Sequence, residues 1–198
     1  MTSVPANSID FPMKELLSFL STIQPLSPAL RAHLESILQF RELKKKELLL
    51  DIGQVCRNIS FVESGLFRCY YLNGTKQVCS WFMKEGDVIT SVGSFYSQQP
   101  SYECIEALEP CRIYYISFEQ LQAIYFDFPE FNFTGRVLTE KYYQLWEQQR
   151  YMLKMARVRE RYKYLLEHHA DLERRVPRGY LASYLGITQE TLSRLRKG

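Results

Sequence analysis

The spacing of apolar residues along this chain changes character twice, from helical to strand-like and back. Near the start, Leu16, Leu17 and Leu20, then Leu30, Leu34, Ile37 and Leu38, recur at helical intervals. The spacing predicts helix between Met13 and Phe40, and Ser27-Pro28 reads as an N-cap followed by proline at the first helical position. From Arg41 to Ile116 the apolar residues fall instead in short runs rich in β-branched, aromatic and leucine side chains. The runs are Glu47–Ile52, Ile59–Glu63, Leu66–Leu72, Gln77–Met83, Cys104–Leu108 and Arg112–Ile116. Gly53, Glu63-Ser64-Gly65, Asn73-Gly74, Glu85-Gly86-Asp87 and Glu109-Pro110 punctuate them. Asn73-Gly74 between two such runs predicts a two-residue hairpin with positive φ tolerated at both positions. Many short strands at this interval predict a small barrel or double-sheet roll, interrupted at Ser94–Pro100 by a loop or short helix.

Helical spacing then returns. Ser117 to Tyr125 predicts a short helix, and Pro129 can begin a long one. Along that helix Leu138, Tyr142, Leu145, Gln149, Met152 and Ala156 alternate at intervals of four and three, the spacing of a heptad seam. An amphipathic helix lying on its own roll would show the same pattern. The length of the seam favours pairing with a second copy, so Leu138, Tyr142, Leu145, Gln149 and Met152 are the expected dimer interface.

Composition narrows the class. At 198 residues, 46% of them hydrophobic and only nine glycine, the chain is long enough for one large domain or a medium and a small one. No apolar run approaches the roughly 18 residues of a membrane span, and Met1 to Met13 lacks a secretory pattern, so a cytoplasmic protein is expected. Of the five cysteines, Cys56, Cys69, Cys79, Cys104 and Cys111, no two form a Cys-x-x-Cys pair. They are expected to be buried or strand-borne free thiols. With only His33, His168 and His169 available, a metal-dependent enzyme is disfavoured, and no catalytic or metal residues are assigned. The net charge of +3 is uneven: Ala156–Gly198 holds ten Lys/Arg and five Asp/Glu, leaving 15 against 17 in residues 1–155. A basic C-terminal part on a mildly acidic body suits contact with nucleic acid at one end.

The last thirty residues point to the chemistry of that contact. After Pro177, Arg178–Leu185 spaces its apolar residues for one short helix, and Gly186-Ile187-Thr188 reads as a tight turn. Thr188 is a natural N-cap for a second helix, Gln189 to Lys197, and Ile187 and Leu192 fall at hydrophobic-staple positions. Ala182 is small where the helices would cross. Burial of Leu181, Leu185, Leu192 and Leu195 leaves Gln189, Glu190, Ser193, Arg194 and Lys197 outward. Arginine can grip guanine with two hydrogen bonds, glutamate can accept from cytosine and glutamine can pair with adenine. Thr191, Ser193 and Lys197 suit phosphate contacts, and the helix N-terminus at Thr188 adds amide donors, so Thr188 joins the expected DNA-binding residues.

The segment Gly186-Ile-Thr-Gln-Glu-Thr-Leu-Ser-Arg-Leu195 resembles the recognition motif of the cyclic-AMP receptor protein/fumarate-nitrate regulator (Crp/Fnr) family. Gly53, Phe61–Gly65, Gly86-Asp87 and Ile116-Ser117 resemble that family's roll, so the likeness runs through nearly the whole chain. It implies an α+β fold: a cyclic-nucleotide-binding-like β-roll with flanking helices over residues 1–128, a dimerisation helix over 129–155 and a helix-turn-helix domain over 156–198. It also implies a homodimer that binds an inverted-repeat operator in double-stranded DNA, with RNA polymerase as a further partner. Gln189, Glu190 and Arg194 match the base-contacting positions, which in the cyclic-AMP receptor are Arg, Glu and Arg, so a different operator is expected. Family members often continue into a wing after this helix; with the sequence ending at Gly198, the resemblance carries no wing contact here.

The family's nucleotide site uses a glutamate and an Arg-Ser pair. Counting back without gaps from Ile116-Ser117 puts Ser91 at the glutamate and Ser101-Tyr102 at the Arg-Ser pair. Counting forward puts Trp146-Glu147 where the receptor's helix supplies Thr and Ser to adenine. A buried phosphate without a cationic partner is too costly, so cyclic AMP is disfavoured. The expected alternative is a reshaped pocket for another small effector, with Ser91, Ser94, Phe95, Ser101, Tyr102 and Trp146 as candidates and no fixed cofactor. No cysteine precedes Cys56, so an N-terminal iron–sulfur cluster is not expected either. A stand-alone ligand-binding module acting through protein partners is the rival reading, and a small β-roll enzyme a weaker one.

Overall fold

The structure, a computed structural model, describes residues 13–197. The reading of Met1 to Met13 and the chain end at Gly198 therefore fall outside the described residues, Met13 excepted. Helices α1 (Met13–Ile23) and α2 (Pro28–Ile37) open it, and the Ser27 hydroxyl caps α2 by accepting the Leu30 amide at 3.2 Å. The helical stretch stops short of Phe40. Leu38 is extended, and β1 (Gln39–Leu43) pairs residue by residue with β8 (Cys111–Ser117). Pairing with a strand about seventy residues away overrode a local helical pattern.

Between these lie β2 (Leu48–Leu50), β3 (Asn58–Ser64), β4 (Phe67–Asn73), β5 (Lys76–Met83), β6 (Val88–Ile89) and β7 (Glu103–Ala107). They form two antiparallel four-stranded sheets, β1-β8-β3-β6 and β2-β7-β4-β5, which is the double-sheet roll. The β4–β5 hairpin differs by one residue from expectation. Asn73 pairs with Lys76, so Gly74 and Thr75 make the turn, and only Gly74 takes positive φ (+60°). That is the pattern of a turn with glycine first, not of Asn-Gly. The interruption expected at Ser94–Pro100 is a short helix that begins two residues earlier, α3 (Val92–Ser97). All five cysteines are free and buried, four of them on strands; burial pushes the Cys79 thiol up to about 12 and Cys111 to about 11.

Helix α4 (Phe118–Asp127) starts with a full capping box: Ser117 accepts the Gln120 amide while the Gln120 side chain accepts the Ser117 amide. The 25-residue α5 (Phe131–Met155) follows, Pro129 standing just ahead of it. Its heptad stripe does not point away from the protein. Leu138 packs on the roll's core, the Tyr142 hydroxyl accepts the Val88 amide at 2.6 Å, and the Gln149 amide donates to the Ser80 carbonyl at 2.6 Å. Leu145 and Met152 are half-buried on the same face. The stripe expected to meet a second copy is thus occupied by its own chain. Heptad spacing defines an apolar face without defining what covers it, and the backbone polar groups along this roll claimed Tyr142 and Gln149. Among the described residues no helix is long and apolar enough to cross a membrane.

At Ala156 the backbone turns extended, and α6 (Val158–His168), α7 (Ala170–Arg175), α8 (Arg178–Tyr184) and α9 (Gln189–Leu195) follow. These helices fold back on the roll. Leu66, Cys79, Phe82 and Leu108 of the roll share one buried cluster with Leu165, Leu172, Val176, Leu181 and Leu192. Polar links flank it: the Lys84 ammonium reaches Asp171 at 2.8 Å, and Arg175 reaches Glu85 at 2.8 Å and Glu109. At the centre is Arg68 of β4, only 2% exposed, whose guanidinium binds Glu106 of β7 through Nε at 2.9 Å and through Nη2, and Gln77 at 2.7 Å. Its planar face lies 3.6 Å from the Tyr180 ring centroid on α8 and 4.3 Å from that of Tyr70.

Removing a partner from a buried ion pair leaves an uncompensated charge, at a cost of about 3–5 kcal/mol. Arg68→Ala is expected to lower the free energy of unfolding by that amount in urea titrations. A loss below about 1 kcal/mol, the size of a solvent-screened pair, would show that water or another cation reaches Glu106.

Candidate functional site

Two places in the fold carry the chemistry. The first is the paired helices α8 and α9. Between them Gly186 takes φ +66°, the left-handed conformation expected of it, and the Ile187 amide donates to the Ala182 carbonyl at 3.0 Å. The Thr188 hydroxyl accepts the Thr191 amide at 3.2 Å and so caps α9. Leu181, Leu185 and Leu192 are buried and Leu195 partly so, as the spacing required. Gln189, Glu190, Arg194, Lys197 and Thr188 are exposed, and Thr191 and Ser193 half-exposed. The seven residues assigned to DNA therefore sit on the one short helix or at its two ends.

Ion pairing sorts the basic residues nearby. Arg196 is held by Glu173 and donates to its carbonyl, and Arg175 is spent on the roll. Among the described residues, Arg178, Arg194 and Lys197 have no acidic partner. The Gln189 amide rests against Gly179, where an added Cβ would stand 3.1 Å from its nitrogen. A side chain at 179 would push Gln189 from that position.

The second place is a cavity of about 700 Å³ between the roll, α1, α3 and α5. Of the six candidates, Tyr102 and Trp146 line it; Ser91, Ser94, Phe95 and Ser101 do not. Those four hold α3 on the roll instead. The Ser94 hydroxyl accepts the Cys56 amide at 2.9 Å and donates to the Gln99 carbonyl at 2.5 Å. The Ser91 and Ser101 hydroxyls meet at 3.2 Å, and Phe95 fills the core edge-on to Phe118. Residue counting located the segment but not the direction in which each side chain turns. On α3 it is Val92, Gly93 and Tyr96 that face the cavity.

The wall that counting missed comes from strand register. Tyr71 pairs with Glu103 across β4–β7, and Cys69 pairs with Trp81 across β4–β5 and with Ile105 across β4–β7. Period-two alternation then puts Cys69 and Tyr71, Trp81 and Met83 on the cavity side. Helix α5 closes the space with Leu138, Thr139, Tyr142, Tyr143, Trp146 and Gln149. No lysine, arginine or histidine lines it among the described residues, and Glu103 is the one carboxylate. Burial pushes the Glu103 carboxyl above the ordinary range, while the Ser91 and Tyr71 hydroxyls pull the other way. Burial also pushes the Tyr71 phenol up to about 12. No group of three or more His, Cys, Asp or Glu able to hold a metal ion occurs among the described residues.

Residues 40–127 match the family model of the cyclic nucleotide-binding domain. No curated protein sequence matches the chain significantly. Solved structures share the fold well beyond the roll. FixK2 from Bradyrhizobium japonicum is 19% identical with a TM-score of 0.69, over 81% of this chain and 83% of its own. A CooA variant from Carboxydothermus hydrogenoformans is 21% identical with a TM-score of 0.70, over 95% and 84%. A protein from Eubacterium rectale described as a Crp/Fnr-family transcriptional regulator is 17% identical with a TM-score of 0.69, over 91% and 86%. The α+β architecture implied by the Crp/Fnr resemblance is the architecture found.

A carboxyl whose pKa is raised by folding adds stability below its unfolded value and loses it as pH rises through the folded one. At neutral pH ionised Glu103 is therefore a cost to the fold. Glu103→Gln is expected to raise the melting temperature at pH 7, with the gain shrinking as pH falls below the Glu103 midpoint. A melting temperature lowered at pH 7 would mean that the carboxylate is stabilised by its surroundings.

Proposed function

We propose that this protein is a dimeric, sequence-specific DNA-binding transcription regulator of the Crp/Fnr type, with an effector other than cyclic AMP. One observation carries the reading. The inner face of α9 is locked into the second core, while its outer face presents Gln189, Glu190, Ser193, Arg194 and Lys197 with the two cations unpaired. A helix held so firmly, with base-reading side chains left unengaged, fits a recognition helix in a major groove. The roll, the long helix and the short C-terminal helices follow the architecture of the solved structures that share the fold, one of them described as a Crp/Fnr-family regulator. A regulatory rather than catalytic role agrees with this.

Dimerisation belongs to the same proposal, through a face of α5 adjacent to the one used by the roll. Thr139, Tyr143, Trp146, Arg150 and Leu153 follow one another at intervals of four, three, four and three. Tyr143 and Trp146 are more than half exposed, and Leu153 is exposed too. Two copies paired along this stripe would present their α9 helices to half-sites of an inverted repeat about one helical turn apart, ~34 Å.

The case against cyclic AMP rests on the cavity wall. A bound phosphodiester would meet Glu103 and no cation, and charge burial without a partner costs several kcal/mol. Effector binding has a route to the DNA-reading end. Trp81, Tyr142 and Gln149 line the effector cavity and also a smaller one of about 120 Å³, where Arg161, Leu165, His169 and Tyr184 form the far side. The helix break at Ala156 and Arg157 is where α6 to α9 would turn relative to α5.

Binding to a fluorescent duplex recovered from a random pool should weaken steeply as salt rises. Arg194→Ala should cost about 1–3 kcal/mol on that duplex and relax the preference at one base pair per half-site. Equal loss on random DNA would make Arg194 a phosphate contact. A protein that ignores every duplex at low salt would overturn the proposal in favour of a ligand-binding module acting through protein partners.

A further inference from the structure

The proposed effector cavity carries an electrostatic signature of its own. Apart from Glu103 its walls are apolar, aromatic or neutral polar, and both tryptophans of the chain, Trp81 and Trp146, are among them. Glu103 has no basic partner among the described residues. Tyr71, directly across the ladder from Glu103, stacks on Tyr102 with ring centroids 5.6 Å apart. Tyr71 and Tyr102, neither of them on the α5 stripe proposed to meet a second copy, line the cavity while remaining substantially open to solvent. Large aromatic groups left open around one recess mark a place where an apolar body docks.

The faces of aromatic rings carry negative charge density, and a carboxylate beside them adds a full negative charge. Such a site attracts an organic cation and repels an anion. The other guanidinium near this wall, Arg150, lies 5.5 Å over the Trp146 ring but is held by Glu147 at 2.6 Å and does not line the cavity. It leaves Glu103 unanswered. Leu16, Leu20, Leu34 and Leu121 also line the cavity and offer nothing to a second charge. We infer that the effector is an organic cation, an amine or quaternary ammonium on an apolar or aromatic body, its charge set against Glu103 beside Tyr71 and Tyr102. This assignment rests on the cavity being the effector site.

Because both tryptophans border the cavity, their emission reports occupancy directly. The full-length protein is titrated with three probes that share a phenyl body and differ in charge: 2-phenylethylamine, 2-phenylethanol and 3-phenylpropanoate. The amine is expected to change the emission at a concentration at least roughly tenfold lower than the alcohol, as one desolvated cation–π and carboxylate contact would give, with the acid weakest of the three. In Glu103→Gln the preference for the amine over the alcohol should shrink to what the aromatic rings alone give, and an undiminished preference would overturn the placement of the charge at Glu103. Equal binding of amine and alcohol in the parent protein overturns the cation assignment and leaves the cavity as an effector site for neutral molecules. Preference for the acid overturns it too, and a response to none of the three overturns both the assignment and the effector-site reading.

Discussion

A guanidinium sealed inside a protein needs partners, and the partners of Arg68 tie the two halves of this molecule together. Glu106 neutralises it from the neighbouring strand, Gln77 takes one of its donors, and the rings of Tyr70 and Tyr180 lie near its flat face. Tyr180 belongs to the helix that precedes the proposed DNA-reading one, so the charge balance of the β-sheet and the seating of the C-terminal helices are one problem. The buried cluster around Leu66, Phe82, Leu181 and Leu192 supplies area for the union, and Tyr180 lies over the Arg68 guanidinium beside it. The Arg175 and Lys84 ion pairs lie at the margin, where solvent screens them and they contribute less.

Seating the helices against the roll has a consequence for regulation. Motion of α9 relative to α5 cannot occur at the Ala156 break alone, because contacts with the β4–β5 hairpin would have to loosen or travel with it. The Cys79 amide donates to the Ser183 hydroxyl at 3.0 Å, and Phe82 meets Tyr184 at 5.1 Å between ring centroids. The same hairpin contributes Tyr71, Trp81 and Met83 to the cavity. One hairpin therefore borders the cavity and contacts α8.

Glu103 makes the opposite trade. The fold would be more stable with an uncharged group there, yet the cavity retains a carboxylate facing aromatic rings with no cation of its own. Strain of this kind at a recess is what a ligand of complementary charge relieves. The serines that residue counting placed in the pocket serve the scaffold instead. Their hydrogen bonds hold α3 against the roll, so that Val92, Gly93 and Tyr96 form part of the rim.

By itself the sequence determined whatever depends on local periodicity and turn chemistry. Its apolar spacing marked α1, α2, α4, α5, α8 and α9 and most strands of the roll, though not α6 or α7; Ser27 and Thr188 act as caps, and Gly186 takes the left-handed turn. The outward row from Gln189 to Lys197 followed from burying Leu192 and Leu195. Tertiary structure decided what depends on partners distant in the chain. It drew Gln39–Leu43 into a strand because β8 offered its edge, and it moved the β4–β5 turn by one residue to suit the ladder. It turned the Leu138–Met152 stripe onto the roll, and it chose Tyr71, Trp81 and Glu103 as cavity wall through cross-strand register. The reason is common to all of these. Local pattern states which face of an element is apolar, whereas only the assembled fold states what that face meets.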